Sequence, residues 1–283
     1  MKKDIVILGS SGFIAKAFIK SILNKNFNIT AIHRSNIEDK YPGISYQNVM
    51  SYLEAKIPQN SIVFHFAETA DKAEVNKQGF SYIKRVEEQV LYFLSKKPIR
   101  FIYTSSTSVY NDQSSLYLNP DSILSEPNDV YSRAKVLVEN IVKRNNGVIL
   151  RLSNIFGSGM SNRNIFSNIL SQIHNSEIIL NDSSSERDYL WIDDLLSALY
   201  HVAIKEATGV FNVASGKSIS VESLCKLILT ATNKEHLQIK YRFPPCYSSI
   251  KIDISKTTEC FNWIPKTNIL DGIHKLIGDM SEK

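Results

Sequence analysis

The chain has 283 residues, 43% of them hydrophobic and 22% charged, the make-up of an ordinary soluble globular protein with room for one large core or two modest ones. Its formal net charge is +5, yet the lysines are scattered and form no basic block, so a mildly basic cleft for an anionic small molecule is a better expectation than nucleic-acid binding. No apolar run reaches the length of a membrane span or a secretory signal, and Cys225, Cys246 and Cys260 lack CxxC spacing, which points away from a disulfide framework or zinc site and towards a reducing cytoplasm.

Residues 5–8 are continuously apolar, as in a strand buried on both faces, and run into Gly9-Ser10-Ser11-Gly12-Phe13-Ile14-Ala15. Phe13, Ala17, Ile19, Ile22 and Leu23 then recur at helical spacing. Strand, glycine turn and helix make the geometry in which backbone N–H groups and a helix N-terminus receive a pyrophosphate. Gly9, Ser11, Gly12, Phe13 and Ile14 are therefore candidate dinucleotide contacts, with a plain strand-to-helix turn as the alternative. Ala15 is small enough to let helix and strand pack closely.

A second strand over 27–32 leads into His33-Arg34-Ser35. This is where, about 20 residues beyond the glycines, an acidic side chain would hold the ribose 2′-hydroxyl of NAD. His33 and Arg34 stand there instead, and an arginine suits a 2′-phosphate through a charge-assisted contact. NADP(H) is the preferred expectation and NAD(H) the alternative, a solvated loop charge being the plainer reading of Arg34.

Strands follow over 44–49 and 62–67, then a helix over 80–94 with Tyr82, Val86, Val90, Phe93 and Leu94 on its apolar side. A strand over 99–103 delivers Thr104-Ser105-Ser106 at its C-terminal end, where an open parallel sheet places its ligand crevice. Residues 111–128 are polar and proline-punctuated and read as a loop over the site. A helix begins near Asn128-Asp129, either of which could cap it. On that helix Tyr131 and Lys135 are one turn apart and share a face. A fixed ammonium beneath a phenol favours the phenolate, drawing the group towards the pH at which it can exchange a proton with a carbonyl or hydroxyl. Ser106 could hold the same oxygen, although the tyrosine–lysine spacing by itself also arises from ordinary surface pairing.

With a sixth strand over 147–152, strands separated mostly by helices predict an α/β fold with a doubly wound parallel sheet. Helices over 165–173, 194–203 and 221–229 and strands over 178–180 and 209–213 follow from periodicity, without their packing. Residues 182–186 are expected to form a mobile polar loop. His65, His174, His201, His236 and His274 lie singly in unrelated elements, so no metal is expected.

Taken together, these pieces resemble the extended short-chain dehydrogenase/reductase family of nucleotide-sugar epimerases, dehydratases and reductases. The likeness runs nearly end to end: the Gly9-to-Ala15 turn, Val63-Phe64-His65-Phe66-Ala67, the serine run ending in Val109-Tyr110, Tyr131 to Lys135, Arg151-Leu152-Ser153-Asn154-Ile155-Phe156-Gly157, Arg187-Asp188-Tyr189-Leu190-Trp191-Ile192-Asp193-Asp194, and Phe261-Asn262-Trp263-Ile264-Pro265. It implies a Rossmann domain over 1–155, completed by about 188–213, and a smaller C-terminal lobe over 156–187 and 214–283 that binds a nucleotide diphosphate sugar. By resemblance, Tyr131 is the general acid/base, Lys135 favours its ionisation and holds the nicotinamide ribose, Ser106 binds the reacting oxygen, and Phe66 and Ala67 line the cofactor. Asn154 and Arg187 match positions that contact the nucleotide diphosphate; a turn cap and a pairing with Asp188 or Asp194 are their plainer readings. A homodimer is one expected assembly.

The departures narrow the reaction. The family's dehydratases carry an acidic pair after the catalytic hydroxyl residue, whereas Thr107-Ser108 follow Ser106 here. Lys84-Arg85 replace the usual asparagines, and Glu68 occupies a place where a small residue is common. The expectation is NADPH-dependent reduction of a keto-deoxysugar nucleotide, the 4-position coming from the resemblance. The alternatives are a redox-neutral NAD-dependent epimerase and a non-catalytic NADP-binding sensor or scaffold.

Overall fold

Ile5, Val6, Ile7 and Leu8 are completely buried, on a strand with a neighbour on each side and, as in parallel sheets, both faces covered. The computed structural model describes residues 2–37, 40–110, 113–124, 126–245 and 247–281, so Asn111 and Cys246 lie outside the described residues. Strand β1 (Lys3–Leu8) leads through the glycine turn into helix α1 (Phe13–Ile22) and strand β2 (Phe27–His33), which pairs with β1 in parallel from Lys3 opposite Phe27 to Leu8 opposite Ile32. Strand β3 (Ser45–Asn48) continues outward on β2, and the chain then returns to place β4 (Ile62–His65) on the other flank of β1. That reversal is a topological switch point, and the crevice outside it is where open α/β sheets bind ligands.

Helices α2 (Lys72–Gln78) and α3 (Phe80–Ser95) precede β5 (Arg100–Ser106), which pairs in parallel with β4. Helix α2 is too short to show in the periodicity; Asp71 caps it, accepting from the Glu74 amide at 3.1 Å. After β6 (Gln113–Leu118) come α4 (Val130–Arg144), β7 (Val148–Leu152), β8 (Asn154–Phe156), α5 (Ile165–Leu170) and β9 (Glu177–Leu180). The chain continues through β10 (Glu186–Trp191), α6 (Ile192–Ile204), β11 (Gly209–Val213), β12 (Ser218–Ser220), α7 (Val221–Ala231), β13 (Gln238–Tyr241), β14 (Ser249–Ile252), α8 (Ser255–Phe261) and α9 (Ile269–Ser281).

The large parallel sheet runs β11-β7-β5-β4-β1-β2-β3, the doubly wound Rossmann-like arrangement, with a seventh strand beyond the six counted from the sequence. Of the two candidate caps of α4, Asp129 is the one used: its carboxylate accepts from the Ser132 amide at 2.7 Å. Two compact units emerge, one of Met1–Val109, Glu126–Arg151 and Leu196–Phe211, the other of Tyr110–Ser125, Leu152–Leu195 and Asn212–Lys283. The first unit is re-entered at Leu196 rather than near 188, and residues 110–125 belong to the second.

Their placement corrects the reading of 111–128 as a loop. Residues Gln113–Leu118 are a strand because β14 pairs with them in parallel, in a second sheet ordered β12-β10-β14-β6. The same unit is held by Asn212, whose side chain accepts from the Tyr110 hydroxyl at 2.6 Å and donates to the Leu118 and Asp253 carbonyls at 2.9 Å. No helix among the described residues is long and apolar enough to cross a membrane.

Among the described glycines of the first unit, Gly9 makes the closest approach to other backbone. Its φ is +78°, and a Cβ there would lie 2.7 Å from backbone atoms of Phe66 and Ala67. Gly43 has nearly the same φ, +79°, with nothing within 4 Å of its would-be Cβ. Gly43→Ala should therefore show only the backbone cost, about 1 kcal/mol, whereas Gly9→Ala should lose several times more in chemical denaturation. Equal losses would show that the contact with the β4 end is not what demands glycine.

Candidate active site

The N-terminus of α1 is open. Gly12 precedes the helix with extended backbone and no capping side chain, and the first turn carries no acidic residue. The amides of Phe13, Ile14 and Ala15 belong to the first turn, which has no intrahelical acceptors for them. Ala15 itself is fully buried against the sheet. Nearby, the Ser10 Oγ and His33 Nε2 are buried with no partner among the described residues. Free amides, the positive end of a helix dipole and unpartnered polar atoms fit a dinucleotide phosphate chemically.

At the end of β2, His33 is buried, with Nδ1 2.7 Å from the Ser35 carbonyl, while Ser11 Oγ lies 3.1 Å from Ser35 Oγ. Arg34 is exposed and sets its guanidinium 5.2 Å from the ring centroid of Tyr52, a cation–π contact. Burial pushes the Tyr52 hydroxyl up despite the opposing pull of Arg34. Tyr52 was not singled out in the sequence, since a single aromatic in a three-residue 3₁₀ turn has no periodicity to mark it. Phe66 and Ala67 follow β4, where the Phe66 amide donates to the Leu8 carbonyl at 3.0 Å.

Ser106 closes β5, its Oγ accepting from the Ser108 amide at 3.1 Å. Tyr131 and Lys135 are both buried on α4, with the Lys135 ammonium 5.6 Å from the Tyr131 ring centroid and 4.8 Å from that of Tyr103. Lys135 donates to the Thr104 carbonyl at 2.8 Å, so the lysine of the helix is tied to the strand that carries Ser106. One turn later Glu139 accepts from Arg151 on β7, at 2.7 Å through Nη2, and from the Ser105 hydroxyl. These buried contacts on one face of α4 set the helix against β5 and β7.

The member that sequence reasoning did not assemble is Glu68. Its carboxylate lies 3.3 Å from the Lys135 ammonium, with both side chains buried, and it accepts from the Tyr82 hydroxyl at 3.3 Å. Burial is the largest single influence and works against its charge, but the attraction of Lys135 and His65 and hydrogen bonding from Tyr103 and Lys135 together outweigh it, and the carboxyl sits below its usual range. The available signal was a glutamate directly after an apolar strand, marked in the sequence as a departure without a partner. His65, also fully buried, is lowered to about 4, chiefly by burial and against the pull of Glu68. The Gln89 amide nitrogen, which can only donate, lies 2.9 Å from His65 Nε2, so that nitrogen accepts and the imidazole is neutral at physiological pH. The 3.9 Å approach of His65 Nδ1 to Glu68 is therefore not an ion pair near neutrality.

In the second unit, Asn154 and Arg187 come together on paired strands, since β8 pairs with β10 and Asn154 stands opposite Tyr189. Asn154 is exposed and donates to the Asp188 carbonyl at 3.0 Å. Arg187, half-buried, donates to the Glu186 and Ser248 carbonyls at 2.8 and 2.9 Å and to the Ser248 hydroxyl at 2.6 Å. Asp188 accepts from the Ser215 and Lys217 amides, and Asp194 from those of Lys266 and Thr267. The expected polar loop at 182–186 is organised by Asp182, which accepts from the Ser184 and Ser185 amides, and its last residue already belongs to β10.

A family model described as the NAD dependent epimerase/dehydratase family matches residues 5–214. Among characterised proteins, the chain is 28% identical to a dTDP-4-dehydro-6-deoxyglucose reductase of Escherichia coli over 309 aligned positions, covering 98% of this chain and 97% of that protein. Among solved structures, UDP-glucose 4-epimerase from Thermotoga maritima with UDP-glucose matches with a TM-score of 0.86, and RMD from Pseudomonas aeruginosa complexed with NADPH with 0.83. Each is 18% identical, and each match covers 99% of both chains, which establishes a shared fold.

The buried pair His65 and Glu68 predicts acid sensitivity of one sign. Below about pH 6.5 the unfolded chain takes up a proton that folded His65 refuses down to about 4, so stability falls across that window. Glu68, lowered from an ordinary 4.5, contributes stability that is present above that value and lost as pH falls through its folded range. Denaturant midpoints should drop steadily between about pH 6.5 and about 4, and His65→Gln should flatten the upper part of that dependence. An unchanged slope in the variant would remove His65 as its source.

Proposed function

This chain belongs to the NAD-dependent epimerase/dehydratase family, and within it we propose an NADPH-dependent reductase acting on a keto-deoxysugar nucleotide, with the keto group at the 4-position. The observation that carries this reading is the end of β2, where His33-Arg34-Ser35-Asn36-Ile37 offers an exposed guanidinium and no carboxylate. An arginine there favours a 2′-phosphate, hence an exchangeable NADPH, over a permanently held NAD. The lack of an acid/base pair after Ser106 argues against water elimination. Likeness to the E. coli reductase over nearly its whole length supports the 4-keto position.

A bound NADPH supplies the hydride. The chain's own residues would do the rest. The amides at the start of α1 would bind the cofactor pyrophosphate, and Arg34 the 2′-phosphate. Lys135 would hold the nicotinamide ribose. Ser106 Oγ would donate a hydrogen bond to the keto oxygen, and the Tyr131 phenol would give that oxygen its proton as the carbonyl is reduced. Asn154 and Arg187 would bind the substrate diphosphate, for which a guanidinium is a suitable clamp. Three cysteines without CxxC spacing support a reducing, cytoplasmic setting.

Purified protein should consume NADPH in proportion to a 4-keto-6-deoxysugar nucleotide offered with UDP, dTDP, GDP or CDP carriers, and Tyr131→Phe should abolish turnover while leaving NADPH binding nearly intact. Tightly retained NAD+ with sugar interconversion and no net cofactor use would decide for an epimerase. For the cofactor, Arg34→Ala should remove a charged hydrogen bond of about 1.5 to 3 kcal/mol, roughly one to two decades of NADPH affinity. Fluorescence titration should show NADH affinity hardly changed; equal losses would place the 2′-phosphate contact elsewhere.

A further inference from the structure

Glu68 is a buried carboxylate that no step above uses. Its side chain is 4% exposed, and the one cation within ion-pair distance of it among the described residues is Lys135. The groups around it come from four elements. Neutral His65 lies at the end of β4, the Tyr82 hydroxyl reaches it from α3, the Tyr103 ring lies beneath the Lys135 ammonium from β5, and α4 brings Lys135 and Tyr131. Two further cations lie against these tyrosine rings: Arg85 is 5.1 Å from the Tyr82 ring centroid, and Lys72 is 5.4 Å from that of Tyr131.

A lone ammonium beneath a phenol pulls it towards phenolate, and a carboxylate of equal charge against that ammonium offsets the pull. The two forms of the tyrosine serve opposite directions of chemistry. Reduction of a carbonyl needs the phenol, which gives a proton to the oxygen; oxidation of an alcohol, the opening step of a redox-neutral epimerisation, needs the phenolate. We propose that Glu68 is the counter-ion of Lys135 and a positioning residue of the active site, holding the ammonium between itself and the Thr104 carbonyl and keeping Tyr131 a proton donor. The proposal rests on the reading of Tyr131 as the acid of a reductase, and it gives that reductase its preferred direction. It also accounts for a glutamate at a position where a small residue would make room without adding charge.

Two measurements test it separately. The first is the pH profile of NADPH-dependent keto-sugar reduction. In Glu68→Gln the descending alkaline limb should move to lower pH by about one unit or more, because the ammonium is no longer offset. Glu68→Asp, which keeps the charge, should return the limb towards the wild-type position. The second needs no substrate: the ultraviolet phenolate band of Tyr131, taken as the difference between each protein and its Tyr131→Phe counterpart, should shift in the same direction and by the same amount. Should Glu68→Gln fail to fold, Glu68→Ala removes the carboxylate without leaving an amide in its place and carries the same expectation. A phenolate titration and pH limb that stay put in the folded Gln or Ala variant would overturn the proposal, whatever happens to stability. A shifted titration in a protein that reduces no keto-sugar would instead sink the reductase reading and leave the pairing standing.

Discussion

The angular setting of α4 is the constraint on which the proposed chemistry depends, and buried charge supplies it. Apolar packing of a helix on a sheet tolerates small rotations and slides, since one methyl contact replaces another. Lys135 with Thr104 and Glu68, and Glu139 with Arg151 and Ser105, do not tolerate them. Each is a desolvated charge whose partners occupy fixed directions, and separating such a pair costs about 3 to 5 kcal/mol. Because the two sets are one helical turn apart, they share a face and act as two stitches along one seam. Tyr131 needs no polar contact of its own to be held; it is carried into place by the helix and packed in the same core as Val138, Val142 and Tyr103.

The other half of the arrangement lies at the switch point of the sheet. The ends of β1 and β4 approach so closely at Gly9 that any side chain would meet the backbone of Phe66. The same turn leaves the start of α1 without a capping side chain, and Ser10 Oγ and His33 Nε2 are buried with no partner among the described residues. In most folds such groups would be a defect, because each unpaired buried polar atom costs free energy. Gathered at the mouth of a parallel sheet, they suit an anion such as the pyrophosphate of the proposed cofactor.

Family membership fixes the scaffold and leaves the direction of chemistry to a few side chains. A tyrosine and a lysine alone serve reduction and oxidation equally well. In the proposed reading, what tilts this chain towards reduction are charges added around them: Arg34 at the end of β2, which suits the 2′-phosphate of a reducing cofactor, and Glu68 beside the ammonium, which suits a proton donor. Neighbouring His65 stays out of this balance because burial keeps it neutral. The electrostatics of the site therefore turn mainly on three ionic groups from two loops and one helix.

Much of this was legible in the sequence wherever the interaction is local. The glycine turn, the burial of 5–8, the shared face of Tyr131 and Lys135 and the arginine at the end of β2 all depend on residues within a few positions of one another, where helical and strand periods alone decide geometry. The choice of Asp129 over Asn128 as the cap of α4 needed the backbone path. Gln113–Leu118 read as a loop because its partner β14 lies far along the chain, and a strand has no hydrogen-bond partners of its own. Glu68 stood out in the sequence as a misplaced charge, but its meaning waited on the fold bringing the turn after β4 against Lys135 of α4: whether a buried carboxylate is a liability or a counter-ion is decided by what faces it across the tertiary structure.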